Sequence, residues 1–350
     1  MLAKPFTFTL PAELSAKEPP ERRGISRDQV RLMVIDRNND RVEHSNFNHI
    51  SQFLRSGDLL VFNTSRTLPA AIDGYAIAMG QCIELRLAQH LQDDSWLALP
   101  LCHQRPTCPM QEGAQVDVGS GLTAIIENRD THIPQLWKVR FSKSGSELMD
   151  VLYRLGRPIR YEYVSAPWDL DYYQTVYAKE PGSAEMPSAG RAFTWKLLFD
   201  LKRYGVETAH IVLHTGLSSY MDDAVDAQHL ASEEEYFISE TAASKINQTH
   251  QQGGRVIAVG TTVVRALESV ADANGKVQPQ HGYTRLHISA DHKLKTIDGL
   301  LTGLHEPEAS HLDLLTAFLP AEKIKSAYED AVRRGYLWHE FGDLNLILCQ

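Results

Sequence analysis

The sequence predicts an α/β domain built from both ends of the chain, with an antiparallel β-barrel inserted in its middle. Near both termini, short apolar runs alternate with helical patterns, which is typical of an α/β sheet. The middle of the chain instead carries short runs of alternating polar and apolar residues, separated by close turns. We therefore expect residues 1–69 and 153–350 to form the α/β domain and residues 70–152 to form the barrel.

The first seventy residues predict a strand, a helix and a second strand. Two short apolar runs, Arg31 to Asp36 and Asp58 to Asn63, are bounded by polar turns, as buried strands are. Between them, apolar side chains recur at three- and four-residue spacing from Phe47 to Leu54. Gly57 follows at a point where a helix would end.

The middle region predicts a small antiparallel barrel. Five runs show strand character, and Gly, Pro, Asp and Asn separate them; they are CIELRLA, SWLALPL, AQVDVG, LTAIIEN and LWKVRFS. The segment Gly119 to Ala124 formally matches a dinucleotide-binding fingerprint, but the residues after it indicate a strand where the fingerprint needs a helix. We therefore reject a cofactor loop there.

Helix and strand signals alternate again after a Pro- and aromatic-rich connection, Arg157 to Ala184. Helical periodicity covers Phe193 to Tyr204 and stops at Gly205. The later predicted elements are a strand at 209–214, a helix over most of 235–252, a strand at 255–259, a helix at 262–271, β-like or apolar runs at 284–288 and 297–301, helices near 310–318 and 322–334, and a strand at 344–348.

Composition restricts the class of protein. Lys and Arg number 35 against 44 Asp and Glu, a formal charge of −9, which argues against a diffuse basic surface for nucleic acid but allows a local basic patch. No apolar run reaches the roughly 18 residues of a membrane span, and the N-terminus lacks a signal-peptide pattern. We expect a cytoplasmic protein that does not bind a membrane.

Four cysteines, Cys82, Cys102, Cys108 and Cys349, are too few and too scattered for a disulfide framework, so we expect reduced thiols. Cys102, His103 and Cys108 are close enough in sequence to be considered as metal ligands. A structural zinc site, however, needs four ligands in paired short spacings. We interpret them as packing or loop residues and expect no metal site.

Four polar loops follow the predicted strands: Asn63 to Arg66, His214 to Gly216, Gly260 to Arg265, and Thr302 to His305. Ligands of open α/β sheets bind beyond the carboxyl ends of the strands, so these loops are the candidate site. In the third loop, free N–H groups at a helix start at Thr261 or Thr262 would bind a carboxylate or phosphate. Alternatively, one threonine only caps the helix and Arg265 pairs with a surface acid.

His214 and His305 each follow an apolar run and precede Gly or Glu-Pro, where a side chain can point into a crevice. Either histidine is a candidate general acid or base, or a hydrogen-bonded structural residue. The acidic cluster from Asp226 to Glu240 either supplies carboxylates to a cationic substrate or forms a solvated helix start. The second interpretation is favoured for Glu234; for Glu233 both stay open, as they do for Glu235.

Taken together and in order, segments along nearly the whole chain resemble the S-adenosylmethionine:tRNA ribosyltransferase-isomerases of the queuosine pathway. The segments are LPAEL (10–14), SR (26–27), SGDLLVFNTSRTLPA (56–70), YYQTVYAKEPGSAEMPSAG (172–190), LHTG (213–216), RVIAVGTTVVRALES (255–269), LLTGLHEPEAS (300–310) and FGDLNLIL (341–348). The resemblance implies a similar architecture, an α/β domain with an inserted antiparallel barrel.

The resemblance also implies a reaction. The ribosyl part of S-adenosylmethionine is attached to the aminomethyl group of a 7-deazaguanine base in a tRNA anticodon, adenine and methionine leave, and an epoxycyclopentanediol forms, giving epoxyqueuosine. S-adenosylmethionine is a substrate, and no bound cofactor or metal is implied. The sulfonium acidifies the C5′ hydrogens, so a positioned base can form an ylide-like carbanion whose collapse expels adenine.

On the matching segments, His305 and His214 are the catalytic candidates. The helix start at Gly260, Thr261 and Thr262 is the candidate site for the methionine carboxylate. The sulfonium needs carboxylate or aromatic neighbours, for which the candidates are Glu233, Tyr173 and Tyr220. The other substrate-binding candidates are Asn63, Arg66, Gln174, Tyr177, Pro187, Ser188, Gly190, Arg265 and Asp343.

The chain departs from the family pattern in several loops. Ala192 replaces a histidine, Leu337 and Ala71 replace arginines, Glu308 replaces a lysine, and Gln228 to Glu233 lacks two histidines in their usual places. Lost cations remove phosphate contacts, which weakens the expectation of a tRNA partner. Three hypotheses follow: the tRNA enzyme, an S-adenosylmethionine-using relative with a small-molecule acceptor, and a non-catalytic relative that binds a nucleoside or protein partner. We expect a monomer.

Overall fold

The computed structural model describes residues 6–39, 41–161, 163–164, 166–226, 233–307 and 309–348. Its strands are β1 (Arg31–Asp36), β2 (Val42–Asn46), β3 (Leu59–Asn63), β4 (Ser65–Thr67), β5 (Ala71–Ala76), β6 (Gln81–His90), β7 (Trp96–Leu101), β8 (Gln115–Gly119), β9 (Leu122–Arg129), β10 (Trp137–Phe141), β11 (Glu180–Ser183), β12 (Glu207–Leu213), β13 (Glu234–Ile238), β14 (Val256–Val259), β15 (Gln280–Thr284), β16 (Gly299–Gly303) and β17 (Leu344–Leu348). Its α-helices are α1 (Gly145–Leu155), α2 (Trp195–Tyr204), α3 (Asp223–Asp226), α4 (Glu240–Gln251), α5 (Thr261–Val270), α6 (His311–Leu315) and α7 (Ala321–Arg333). Of the helices in these ranges, none combines the length and apolar character that crossing a bilayer requires.

A nine-stranded sheet joins the two ends of the chain. Its strand order is β15-β13-β12-β3-β14-β16-β17-β1-β2. The four central strands β12, β3, β14 and β16 are parallel, so their carboxyl ends meet at one edge. Strand β17 runs antiparallel to β16 and therefore starts at that same edge. Together with the barrel described below, this sheet confirms the predicted fold class.

The sheet is covered on both faces, and alternate residues of β3 show why. Leu59 and Val61 lie in the core that α4 to α7 complete, whereas Leu60 and Phe62 lie in the core that α2 completes. Successive side chains of a strand point to opposite faces, so a strand covered on both sides must be apolar throughout. This requirement explains the short continuous apolar runs in the sequence.

The barrel is closed and antiparallel, with the strand order β10-β7-β6-β5-β8-β9. Strands β8 and β9 form a hairpin in which Gly119 pairs with Leu122. The segment from Gly119 to Ala124 therefore lies in a hairpin, which agrees with its rejection as a dinucleotide loop. Helix α1 packs on the barrel core through Leu148, Val151 and Leu152. The division of the chain at residues 70 and 152 stays a prediction.

Two predicted helices differ from the structure. The segment 235–252, predicted mainly as helix, begins with β13, and Ser239 then caps α4 by accepting a hydrogen bond from Ala242 N at 3.2 Å. In β13, which pairs with β12 and β15, side chains alternate between buried and more exposed positions because successive residues of a strand point to opposite faces of the sheet. The helix predicted near Phe47 is a 3₁₀ helix, Phe47–Gln52.

The sequence analysis also missed β2 and α1, and it placed β15 four residues too late.

The expectation of reduced thiols is wrong for one pair, because Cys102 and Cys108 form a disulfide. A turn after β7 lets Cys102 and Arg105 exchange backbone hydrogen bonds of 2.9 and 3.0 Å. The reversal leaves the Cα atoms of the two cysteines 5.2 Å apart, within disulfide reach. Cys82 is free and exposed, whereas Cys349 lies outside the described residues.

The chain enters and leaves the barrel at one seam. Ala71 and Arg157 exchange backbone hydrogen bonds of 2.9 and 2.8 Å, and the Arg157 guanidinium donates to Asp73 at 2.8 Å. Gly156 fits beside this bridge because it has no side chain. A Cβ at that position would overlap the carbonyl oxygen of Pro69 and lie 2.7 Å from that of Leu152.

We expect Gly156→Ala to lower the free energy of unfolding by about 1–3 kcal/mol, since two backbone carbonyls must move to admit the methyl group. Urea unfolding monitored by circular dichroism measures the change. Gly303→Ala is the matched control, because a Cβ there meets no atom within 4 Å, and it should shift stability by less than about 0.5 kcal/mol. Equal effects of the two substitutions would contradict the steric account of the seam.

Candidate active site

A cleft of about 1580 Å³ lies at the edge of the sheet where the parallel strands end. The loops after β12, β14 and β16 line it through Thr215 and Gly216, Gly260 to Thr262, and Thr302 to His305. Barrel residues, among them Arg86 and Arg105, also line the cleft. Segments far apart in sequence therefore surround one space large enough for a nucleoside and a second substrate.

The loop after β14 presents a helix start to this cleft. Gly260 has φ +99° and ψ 150°, a conformation that only glycine adopts readily, and Thr261 begins α5 directly after it. The first N–H groups of a helix lack intrahelical acceptors, and the helix dipole places partial positive charge there. Thr261 and Thr262 both line the cleft, so this helix start is suited to an anion.

Asn63, at the end of β3, holds the neighbouring loops together. Its carboxamide oxygen accepts hydrogen bonds from Ser65 N and Leu213 N, both at 3.0 Å. Its nitrogen donates to Leu213 O at 2.8 Å and to Thr262 Oγ1 at 3.4 Å. Asn63 is 1% exposed, so the structure places it behind the site as a positioning residue.

Arg265 pairs with Glu234, and both line the cleft. Glu234 also accepts a hydrogen bond from Gly216 N at 3.2 Å, and Arg265 donates to Leu286 O at 3.0 Å. The pairing alternative for Arg265 is thus the one observed, although the pair is largely buried. The favoured interpretation of Glu234 as a solvated residue is wrong: it lies in β13 and is 8% exposed.

Glu233, the candidate carboxylate for a sulfonium, lies elsewhere. It is exposed and contributes to a separate cavity of about 160 Å³, with its Oε2 atom 3.8 Å from the Arg285 guanidinium. Successive residues here point in different directions, and it is Glu234 that lines the main cleft. The departure noted over residues 228–232, like that at Glu308, lies outside the described residues.

His305 lines the cleft after β16. Its Nε2 atom lies 2.8 Å from Thr302 Oγ1, and its ring stacks on His311 with centroids 4.7 Å apart. Burial lowers the pKa of the His305 imidazole well below its usual value, and nearby His311 lowers it further. The ring is therefore neutral at pH 7, as a general base must be.

His214 is packed behind the cleft. Its Nδ1 atom lies 2.7 Å from Ser65 Oγ, and a Cβ on Gly182 would overlap its ring. Burial lowers the pKa of His214, so this ring too is neutral. Because its polar contact is with the scaffold and Gly182 covers it, the structure favours the structural alternative over a catalytic role.

Four other candidates line the cleft: Tyr173, Pro187, Ser188 and Tyr220. Three candidates from the same segments are instead scaffold. The Gln174 amide bonds both backbone groups of Thr67, at 3.1 and 2.8 Å. Tyr177 packs on Phe62, with ring centroids 4.6 Å apart, and its hydroxyl occupies the space that a Cβ on Gly190 would take.

Asp343 and Arg66 also lie outside the lining of the cleft as the described residues form it. Asp343 is 4% exposed and accepts hydrogen bonds from Arg31 N at 2.7 Å and Leu337 N at 2.8 Å. It therefore joins the starts of β1 and β17. Arg66 is half-buried in β4, which pairs with β11.

The sequence analysis missed a wall of aromatic and acidic residues. Tyr161, Tyr163 and His339 form a ring stack, with centroids 5.8 Å apart for the first pair and 3.9 Å for the second. Glu185 and Glu340 line the cleft with them. We call these five residues the aromatic–acid wall. Glu340 lies among aromatic residues from Tyr336 to Phe341, and an isolated acid in such a segment is a sequence signal for a buried carboxyl.

Both acids of the wall are perturbed. Burial raises the pKa of Glu340 to about 8, and the charge of Glu185 contributes to the increase. Burial also raises the pKa of Glu185, although hydrogen bonds from Tyr161 and Ser218 oppose the shift. Perturbed carboxyl groups in a cleft are typical of functional sites. In the described residues, no group of three or more His, Cys, Asp and Glu side chains is arranged to hold a metal.

We expect Glu340 to make stability fall as pH rises. Its pKa of about 8 in the folded chain exceeds the ordinary 4.5, so between these values the folded state binds more protons than the unfolded state. Glu340→Gln removes this titration. As pH rises, the free energy of unfolding of the variant should therefore increase relative to that of the wild type, by up to about 1.4 kcal/mol per pH unit.

Urea titrations at several pH values between 5 and 8 would measure this difference, with the exposed Glu322→Gln as control. If the difference in the free energy of unfolding between E340Q and the wild type stays constant over this pH range, the raised pKa of Glu340 is contradicted.

Comparisons with known proteins agree with this architecture. The family model described as "Queuosine biosynthesis protein" matches residues 3–347. S-adenosylmethionine:tRNA ribosyltransferase-isomerases of Desulforamulus reducens and Carboxydothermus hydrogenoformans are each 38% identical, covering 98% of both chains in the first case, and 99% of this chain and 100% of the relative in the second. A crystal structure of S-adenosylmethionine tRNA ribosyltransferase from Thermotoga maritima is 30% identical with a TM-score of 0.55, covering 99% of this chain and all of that one. The chain therefore belongs to the queuosine biosynthesis protein family.

Proposed function

We propose that this protein is an S-adenosylmethionine:tRNA ribosyltransferase-isomerase. It transfers the ribosyl part of S-adenosylmethionine to a 7-aminomethyl-7-deazaguanine base in tRNA and isomerises it, giving epoxyqueuosine, adenine and methionine. The observation that carries the proposal is that the α5 start and His305 line one cleft in a chain of this family. S-adenosylmethionine acts as a substrate, and no bound cofactor is needed.

The start of α5 fits the methionine carboxylate. Gly260 lets the chain turn sharply from β14 into the helix, and Thr261 and Thr262 follow at the surface of the cleft. Backbone N–H groups of this first turn and the helix dipole both favour a negative group. Because Arg265 is engaged by Glu234, the anion site depends on the helix start more than on a free guanidinium.

His305 fits the base that removes a C5′ proton. The imidazole is neutral, so it can accept the proton, and the contact with Thr302 Oγ1 holds the ring in position. Collapse of the resulting carbanion expels adenine, and the neutral acceptor amine then attacks. A cleft that restricts water favours both steps, since it strengthens electrostatic contacts and leaves the amine unsolvated.

The acceptor is proposed to be tRNA because the relatives with 38% identity are named for it. Their names do not support the alternative of a small-molecule acceptor. Exposed Arg105 and Arg160 line the cleft and are suited to contact tRNA phosphates. We propose that the enzyme acts as a cytoplasmic monomer, since residues of one chain line the whole cleft.

Adenine release tests the function. We expect adenine to form from S-adenosylmethionine when the tRNA carries 7-aminomethyl-7-deazaguanine, and not with the same tRNA carrying guanine. Chromatography of the nucleobase product measures the reaction. Release that the free deazaguanine base supports equally well would identify a small-molecule acceptor, and no release with either would remove the catalytic proposal.

His305→Ala tests the base. Since general base catalysis contributes about 10²–10⁴-fold, adenine release should fall by at least about 10²-fold. The Kd for S-adenosylmethionine, measured by calorimetry, should stay within about tenfold because the anion site is intact. His281→Ala is the control, since His281 is exposed on β15 and pairs with Glu235. A fully active H305A variant would exclude His305 from the mechanism.

A further inference from the structure

Two carboxylic acids in the cleft have no part in the chemistry described above. Glu185 precedes Met186 and the Pro187-Ser188 turn, and Glu340 precedes Phe341. Both belong to the aromatic–acid wall and act electrostatically on Tyr161 and Tyr163. Two acids from distant parts of the chain therefore meet at one aromatic surface of the cleft.

The Glu340 carboxyl is incompletely satisfied. Its Oε2 atom is buried, and no described residue donates a hydrogen bond to it. Because burial raises the pKa of Glu340 to about 8, this carboxyl is mostly protonated near neutral pH, and a cation bound beside it in the cleft would displace the proton and pair with the carboxylate. Glu185, by contrast, accepts hydrogen bonds from Tyr161 and, at 2.8 Å, from Ser218 N.

The cation whose charge opposes the raised pKa of Glu340 is Arg191, and it already has other partners. Arg191 is 3% exposed, donates to Glu21 at 2.8 Å and to Tyr172 O at 2.7 Å, and lies over the Phe341 ring. Its guanidinium is thus committed to neighbours outside the wall. The acids of the wall are left without a dedicated counter-ion among the described residues.

The ring stack completes a site for positive charge. His339 is held by Glu306 Oε1 at 2.8 Å and Ser15 Oγ at 3.0 Å, and its ring lies nearly parallel to Tyr163, at 14°. Aromatic faces attract cations, most strongly where water is excluded. Carboxyl groups beside aromatic rings suit an organic cation, whose alkyl groups contact the rings while its charge meets the acids.

We propose that the aromatic–acid wall is a subsite for an organic cation carried by a substrate. The inference rests on the proposed function, in which two substrates supply such a group. One is the sulfonium of S-adenosylmethionine, and the other is the protonated aminomethyl group of the deazaguanine base. Glu340 and Glu185, which both line the cleft, supply the two carboxyl groups.

Calorimetric titrations of matched ligand pairs test the subsite. S-adenosylmethionine is compared with S-adenosylhomocysteine, which lacks only the sulfonium charge and methyl group. 7-Aminomethyl-7-deazaguanine is compared with 7-cyano-7-deazaguanine, its neutral nitrile. The proteins are the wild type, Glu340→Gln, Glu185→Gln and, as control, Glu112→Gln in an exposed turn of the barrel region.

We expect the wild type and E112Q to prefer the cationic member of at least one pair by about tenfold, and E340Q to lose that preference while binding the neutral member unchanged. The pair affected identifies the source of the cation. Glu185→Gln should weaken the same preference, and it keeps the test decisive if E340Q does not fold. If the preference for the cationic ligand survives both substitutions, or if the wild type shows no such preference, the proposal of a cation subsite is overturned.

Adenine release by the same preparations separates this inference from the proposed function. If the wild type releases adenine with the deazaguanine-bearing tRNA while both preferences survive the substitutions, the subsite is wrong and the function stands. If E340Q abolishes a preference but the wild type releases no adenine, the subsite stands and the function is wrong.

Discussion

The site depends on the hydrogen bonds of one buried amide, that of Asn63. Its oxygen accepts from Ser65 N and Leu213 N, and its nitrogen donates to Leu213 O and Thr262 Oγ1. These four bonds use the donors and two acceptor positions that an asparagine side chain has. The end of β3, the end of β12 and the start of α5 are therefore held in one arrangement before a ligand binds, which reduces the ordering cost of binding.

Charge in the cleft is divided between two surfaces. The start of α5 carries the partial positive charge of a helix terminus, whereas the aromatic–acid wall carries carboxyl groups. Arg265 and Glu234 neutralise one another and so add no net charge. A ligand that carries a carboxylate at one end and a positive centre elsewhere matches this division of charge. A cleft lined by charges of a single sign would not match both ends of such a ligand.

The sequence predicted best those features that arise from periodicity and strand ends. The apolar run before Asn63 forms β3 because a strand covered on both faces needs no polar residue, and the parallel neighbours of β3 then bring Thr261 and His305 together.

The direction of side chains was harder to predict. Glu233 and Glu234 are adjacent, yet only Glu234 faces the cleft, because β13 begins there. His214 resembles a catalytic residue in sequence, but packing against Gly182 withdraws it from the cleft. Glu185 and Glu340 lie in irregular segments, where no periodic pattern shows which long-range neighbours they meet.

The seam between Ala71 and Arg157 has a consequence for how the chain folds. Strand β3 must pair with β12, although about 140 residues separate them, and closing a loop of that length carries an entropic cost that grows with the number of residues enclosed. A barrel that forms first brings its own two ends into backbone contact. The loop that β3 and β12 must then close consists of residues 64–70 and 158–206 only, so an early barrel removes the residues between them from that loop and lowers its entropic cost.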